Sequence, residues 1–210
     1  MSAIATPEDI ARLFARPSGY GFARWGRPIV PVVFGVEAES LGVIKGAIEA
    51  VVALAGHRMA ETDPELGANL MVFFCRDWGE LAGVPNLDRL VEGLPALVAR
   101  LQAEGANQYR MFRFDAAGAI RAAFVFLRMD ADLANVPAEV LALDQAVRAI
   151  LLWGEGALAQ GALVEVQGRA MLRPDLAAVI RAAYDPVLPP AATDAAHALR
   201  LFARASRGQG

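Results

Sequence analysis

One cysteine and two histidines are all that 210 residues offer as thiol or imidazole ligands. A single thiol makes no intramolecular disulfide, and a structural zinc site takes four Cys or His ligands where this chain has three. Lysine is scarcer still: Lys45 stands alone against 19 arginines, a balance that suggests GC-rich coding more than a guanidinium-based function. No run approaches the ~20 apolar residues of a membrane span. The opening stretch, Met1 to Asp9, has neither a basic segment nor a long apolar one, so it predicts no export signal. The net charge of −3 gives no overall attraction for nucleic acid or anionic membrane. Walker A is missing. Gly154-Glu155-Gly156 is only part of a dinucleotide fingerprint, because Leu158 and Ala159 stand where a third glycine belongs and a helical pattern, not a strand, precedes it. These absences predict a soluble, cytoplasmic chain without a metal or cofactor.

What is present is apolar. Hydrophobic residues make up 56% of the chain, and 43 alanines account for much of that excess. Thr6, Pro7 and the acids Glu8 and Asp9 read as the cap and first turn of a helix reaching about Ala15. Ile29 to Phe34 reads as a strand that lies at an edge or carries a bulge, because Pro31 has no N–H to donate. Glu39 to Ala55 has helical periodicity, with Gly56 after its end. Leu70 to Cys75 is continuously apolar, as a strand buried on both faces must be. Asn86 to Glu104 is helical but must break or kink around Gly93-Leu94-Pro95. Tyr109 to Phe114 and Ala119 to Met129, joined through Gly118, read as a hairpin. Pro137 to Trp153 is a helix apolar on more than one side, which suits the middle of a domain. Pro174 to Tyr184 and Thr193 to Ala205 are two more helices. The order predicts a single α/β (α+β) domain with about four strands. Residues 1–21 read as an N-terminal helix and linker, 22–205 as the domain, and 206–210 as a flexible tail.

Candidate chemistry is sparse. His57 is followed by Arg58-Met59-Ala60, so it opens no His-Glu-x-x-His zinc motif, and His197 stands among alanines. Cys75 ends the buried strand just before Arg76 and Asp77, where an arginine could activate a thiol, although most free cysteines serve as small core hydrophobes. Asp144 and Arg148 lie one turn apart on the Pro137–Trp153 helix, with Glu155 just beyond it. They are either a polar trio lining a groove or an ordinary helix-surface pair. Arginines 110, 113, 121 and 128 alternate with hairpin aromatics but fall on both strand faces, which argues against a nucleic-acid surface. Tyr20, Phe22 and Trp25, with Trp153, are candidate anchors for a protein partner or a second copy of the chain, or else cover for the protein's own sheet.

Three segments carry a family likeness. Arg24-Trp25-Gly26-Arg27-Pro28-Ile29 leads into the first strand, Ala68-Asn69-Leu70 opens the buried one, and Tyr184-Asp185-Pro186-Val187-Leu188-Pro189-Pro190 joins the last two helices. Over roughly residues 22 to 200 the chain resembles the uncharacterised proteobacterial domain family numbered 2927, whose members are similar in outline to zincin metallopeptidases. The resemblance implies a twisted mixed sheet on long helices, with Pro137–Trp153 where a zincin keeps its metal. Relatives carry an acidic Glu-Glu-x-x-Gln helix. Here that stretch reads Asp144-Gln145-Ala146-Val147-Arg148, Val187 replaces the usual arginine, and Pro190 replaces a glycine. A degenerate, non-catalytic copy is implied, serving as a protein-binding or accessory subunit. A divergent hydrolase using Cys75, or Asp144 with Glu155, is the alternative, as is a small-ligand binder using a groove over the 137–153 helix. Protein purified without added metal is expected to carry no stoichiometric zinc by elemental analysis; about one zinc per chain would restore the metallopeptidase reading.

Overall fold

The computed structural model describes residues 4–209; Met1–Ala3, where part of the expected signal-free N-terminus falls, and Gly210 lie outside the described residues. Thr6 caps α1 (Pro7–Leu13): its hydroxyl accepts from the Asp9 amide while the Asp9 carboxylate accepts from the Thr6 amide. This reciprocal box satisfies donors that a helix start otherwise leaves open. Three two-residue strands follow, β1 (Ala15–Arg16), β2 (Gly19–Tyr20) and β3 (Phe22–Ala23). Then come β4 (Pro31–Phe34), α2 (Ala38–Leu54), β5 (Leu70–Cys75), a 3-10 turn (Trp78–Gly83), α3 (Leu87–Leu90) and α4 (Leu94–Ala103). The hairpin is β6 (Gln108–Phe114) and β7 (Ile120–Arg128). The remainder comprises α5 (Ala131–Ala134), α6 (Ala138–Ile150), β8 (Leu163–Val166), β9 (Arg169–Leu172), α7 (Pro174–Ala183), β10 (Ala191–Ala192) and α8 (Ala196–Ala205).

The central sheet runs in the order β4-β5-β7-β6, parallel except for β6. Pro31 starts an edge strand, where its missing N–H costs no ladder bond. Two-sided burial explains the unbroken apolar runs of β5 and β7. Leu70, Val72, Val125 and Leu127 face a core shared with α2 and α6, while Met71, Phe73, Phe124 and Phe126 face Trp78, Leu81 and Leu101 on the other side. The mixed α/β single domain expected from the sequence is the fold observed. Within the segment that precedes residue 22, Ile10 and Phe14 are fully buried in the core shared with α2 and α6. Of the expected tail, residues 206–209 form a final 3-10 turn.

Two expectations need correction. The helix predicted to run to Trp153 ends at Ile150, and Leu151 turns extended, with φ −136° and ψ 158°. The cause lies elsewhere in the chain: the Leu152 amide donates to the Ala23 carbonyl at 2.9 Å, and Leu151 bridges Arg24. A backbone partner outside the helix thus replaces the next helical turn. The second is a hairpin, β8–β9, that was not anticipated; it turns on Gln167 and Gly168, both with positive φ, the requirement of a tight primed turn.

The three segments behind the family likeness form structural ties. Asn69, fully buried, accepts from the Val30 amide at 2.8 Å and donates to Pro28 and to Asp63. The Asp63 carboxylate also accepts from the Glu65 and Leu66 amides and from Arg27. Tyr184 donates its hydroxyl proton to the Ile150 carbonyl at 2.9 Å, and the Arg24 guanidinium lies over its ring. Burial pushes the Asp63 carboxyl up, but the two amides, Asn69 and Arg27 together outweigh it and hold its pKa below the ordinary 3.8. A carboxyl with a lowered folded pKa stabilises above its unfolded value and loses that contribution as pH falls through the folded one. Asp63→Asn is therefore expected to destabilise by ~1–3 kcal/mol at neutral pH. In urea unfolding, the gap to the unmodified protein should narrow below about pH 4; a gap independent of pH would show that the charge contributes nothing.

Candidate functional site

A polar cleft of about 480 Å³ lies between β6 and the segment 152–159 that leaves α6. Three arginines from distant parts of the chain meet there: Arg16 from β1, Arg110 from β6 and Arg148 from α6. Arg148 reaches it from the last turn of α6, held by Asp144 at 2.6 Å one turn back and donating to the Leu158 carbonyl at 3.4 Å. Arg110 stands on the α6 side of its strand and donates through Nη2 to Gln108 at 2.8 Å and to Gln145. Arg16 crosses 137 residues of sequence to donate through Nη2 to the Trp153 carbonyl at 3.1 Å.

Among the described residues, no carboxylate pairs with Arg16 or Arg110, and the Nε of each is buried without a hydrogen-bond partner. The Nη1 atoms of all three arginines likewise make no hydrogen bond there. Burial, with the nearby Arg148 charge adding to it and Asp144 opposing, lowers the Arg110 pKa to about 10. Glu155 is exposed at the rim. The cleft is thus positive in a chain that is negative overall, and each guanidinium keeps an Nη1 donor for a charge-assisted hydrogen bond to an oxyanion.

The residues singled out from sequence separate into two groups. Arg148, Glu155 and Trp153 line this one cleft, and Asp144 reaches it through Arg148. Trp153 is wall more than anchor: its ring stacks on Phe14 at 5.5 Å, and its Nε1 donates to the Val147 carbonyl at 2.7 Å. Tyr20 and Phe22 complete that aromatic cluster facing inward, with the Tyr20 hydroxyl 2.8 Å from His197 Nδ1. Trp25 has no exposed surface and donates to the Ala149 carbonyl. His57 donates to the Arg27 carbonyl. Burial, then the Arg200 and Arg204 charges, lower the pKa of His197 to about 4. Cys75 lies on the opposite face of the sheet from α6, its thiol against the Leu127 carbonyl; burial, then Glu80 and Asp77, push its pKa up to about 11, which leaves little thiolate at neutral pH. Among the described residues, no three of the His, Cys, Asp and Glu side chains gather in a way that could hold a metal ion.

Sequence reading missed Arg16 altogether and treated Arg110 only as one of the hairpin arginines. The latter do disperse: Arg113 donates to the Leu90 carbonyl on the far face, Arg121 pairs with Glu65, and Arg128 with Asp130. No local pattern marks Arg16, because its partners are brought to it only by the packing of α1 beside residue 154. Gly154 permits that approach, since a Cβ there would stand 2.3 Å from the Ala15 carbonyl oxygen.

No protein-family model, curated protein or solved structure matches the chain. The cleft is therefore read on its own geometry. Arg110 is desolvated and faces a like charge, so its charge opposes folding while its two glutamine contacts favour it. Arg110→Met is expected to leave chemical-denaturation stability within ~1 kcal/mol of the unmodified protein, or to raise it. A loss above ~2 kcal/mol would make Arg110 a structural anchor rather than a site residue.

Proposed function

We propose that this protein is a non-catalytic binding protein whose cleft beside Trp153 holds an anionic ligand. The observation that carries the reading is the meeting of three guanidiniums, each with an uncommitted Nη1, on one cleft. A buried positive charge without a counter-charge is costly, and an oxyanion entering the cleft would remove that cost while adding charge-assisted hydrogen bonds. Catalysis is disfavoured by the same side chains. Asp144 is committed to Arg148, Glu155 faces solvent, and Cys75 sits on the other face of the sheet.

The reading accommodates descent from a zincin-like ancestor. The helix that the likeness would give to metal ligands spends Leu141, Ala142, Ala146, Val147 and Ala149 on the core. Of its polar residues, Asp144, Gln145 and Arg148 serve the cleft. Gln145 in particular orients Arg110.

Ligand linkage gives the test. Titration with succinate, benzoate and inorganic phosphate is expected to raise the melting temperature in a saturable way, a ligand at 100 times its Kd adding ~2.7 kcal/mol. The order of the three anions reports which oxyanion geometry fits. Arg110→Met and Arg16→Met are expected to abolish the rise. The absence of any shift, or an undiminished shift in Arg110→Met, would overturn the assignment.

A further inference from the structure

The cleft follows the free edge of a β-sheet. Tyr109, Arg110, Met111 and Phe112 all line it, although successive residues of a strand point to opposite faces. A space touched by four residues in a row lies along the backbone rather than over one face. β6 is the terminal strand of the sheet order, and among the described residues nothing outside the sheet hydrogen-bonds to its backbone. Its outer row of N–H and C=O groups therefore borders the same space as the three arginines.

The two edges of this sheet differ. At β4 the strand is short and begins with a proline, a common way of blunting an edge. β6 is seven residues long, contains no proline, and keeps an even register with β7 until a shift between Arg113 and Phe114. That leaves six residues, Gln108 to Arg113, of regular edge.

Resting on the anion-binding reading, we propose that the occupant is an extended segment of a partner protein, added as a fifth strand along β6, with carboxylates at alternate positions. Alternation puts those carboxylates on the α6 face, where Arg16, Arg110 and Arg148 stand. Backbone pairing supplies binding along the edge, and the arginines select for acid. A second copy of this chain is a poor occupant, since its β6 strand would bring a further Arg110 into a cleft that is already positive. The basic C-terminal stretch of this chain is unsuitable for the same reason.

The test uses the full chain and an acetylated, amidated hexapeptide of alternating valine and aspartate, followed by calorimetry. The peptide is expected to bind at least tenfold more tightly than succinate. N-methylating one of its two alternate sets of amides should weaken binding at least tenfold, and folded Arg110→Gln should weaken it similarly. Amide exchange at Tyr109 to Arg113 should slow with the peptide and not with succinate. If neither methylated set loses affinity, or succinate binds as well as the peptide, the edge pairing is wrong while the anion cleft stands. If succinate, phosphate and peptide all fail to bind, both readings fall, and Arg110 is an inward charge that guards the edge against aggregation.

Discussion

The structure depends on satisfying the backbone of one buried stretch, residues 22–25. Phe22, Ala23 and Trp25 are buried, so their amides and carbonyls cannot turn to water and must find partners inside. They do so in three directions. β3 pairs with β10, the Arg24 amide donates to the Pro190 carbonyl at 2.8 Å, and the Arg24 carbonyl accepts from Ile120 at 2.8 Å. The Ala23 carbonyl takes the Leu152 amide. This last bond ends α6 early and sends the chain outward as the segment that forms one wall of the cleft. The site is thus a by-product of how a buried strand-like segment disposes of its hydrogen bonds.

Where local forces decide, the sequence was legible. The Thr6–Asp9 cap, the break at Gly93-Leu94-Pro95, the doubly buried Leu70–Cys75 strand and the edge position conferred by Pro31 all follow from chemistry confined to a few residues. The failures have the opposite character. Nothing within Leu151-Leu152-Trp153 says that a carbonyl 129 residues earlier will claim an amide there, and the apolar periodicity continues as if the helix did. The aromatic residues suggested contact anchors because burial is a property of the assembled core, and Phe14 gathers Tyr20, Phe22 and Trp153 around itself. For the site, Arg148 and Glu155 were legible as a possible groove; Arg16 was not, since its role is set wholly by tertiary placement.

Charge in this protein is local rather than global. A net charge of −3 gives no overall attraction for anions, yet among the described residues neither Arg16 nor Arg110 has a carboxylate partner. Screening makes this possible: over more than about 8–10 Å at physiological salt, exposed carboxylates hardly register, while groups in a partly buried cleft feel one another directly. Composition averages over distances that electrostatics does not.

The walls of the cleft come from residues 16, 109–112, 114, 148, 152–156, 158 and 159, so its assembly requires contacts that span most of the chain. Contacts of such sequence separation form late, after loop closure has been offset by local structure. During synthesis, β6 and its unpaired edge leave the ribosome some forty residues before the 152–159 segment that will face it. The arginines and their opposing wall come together only as the fold closes, so the cleft is completed at the end of folding, and a chain stopped at the end of the hairpin would carry the edge without the cleft.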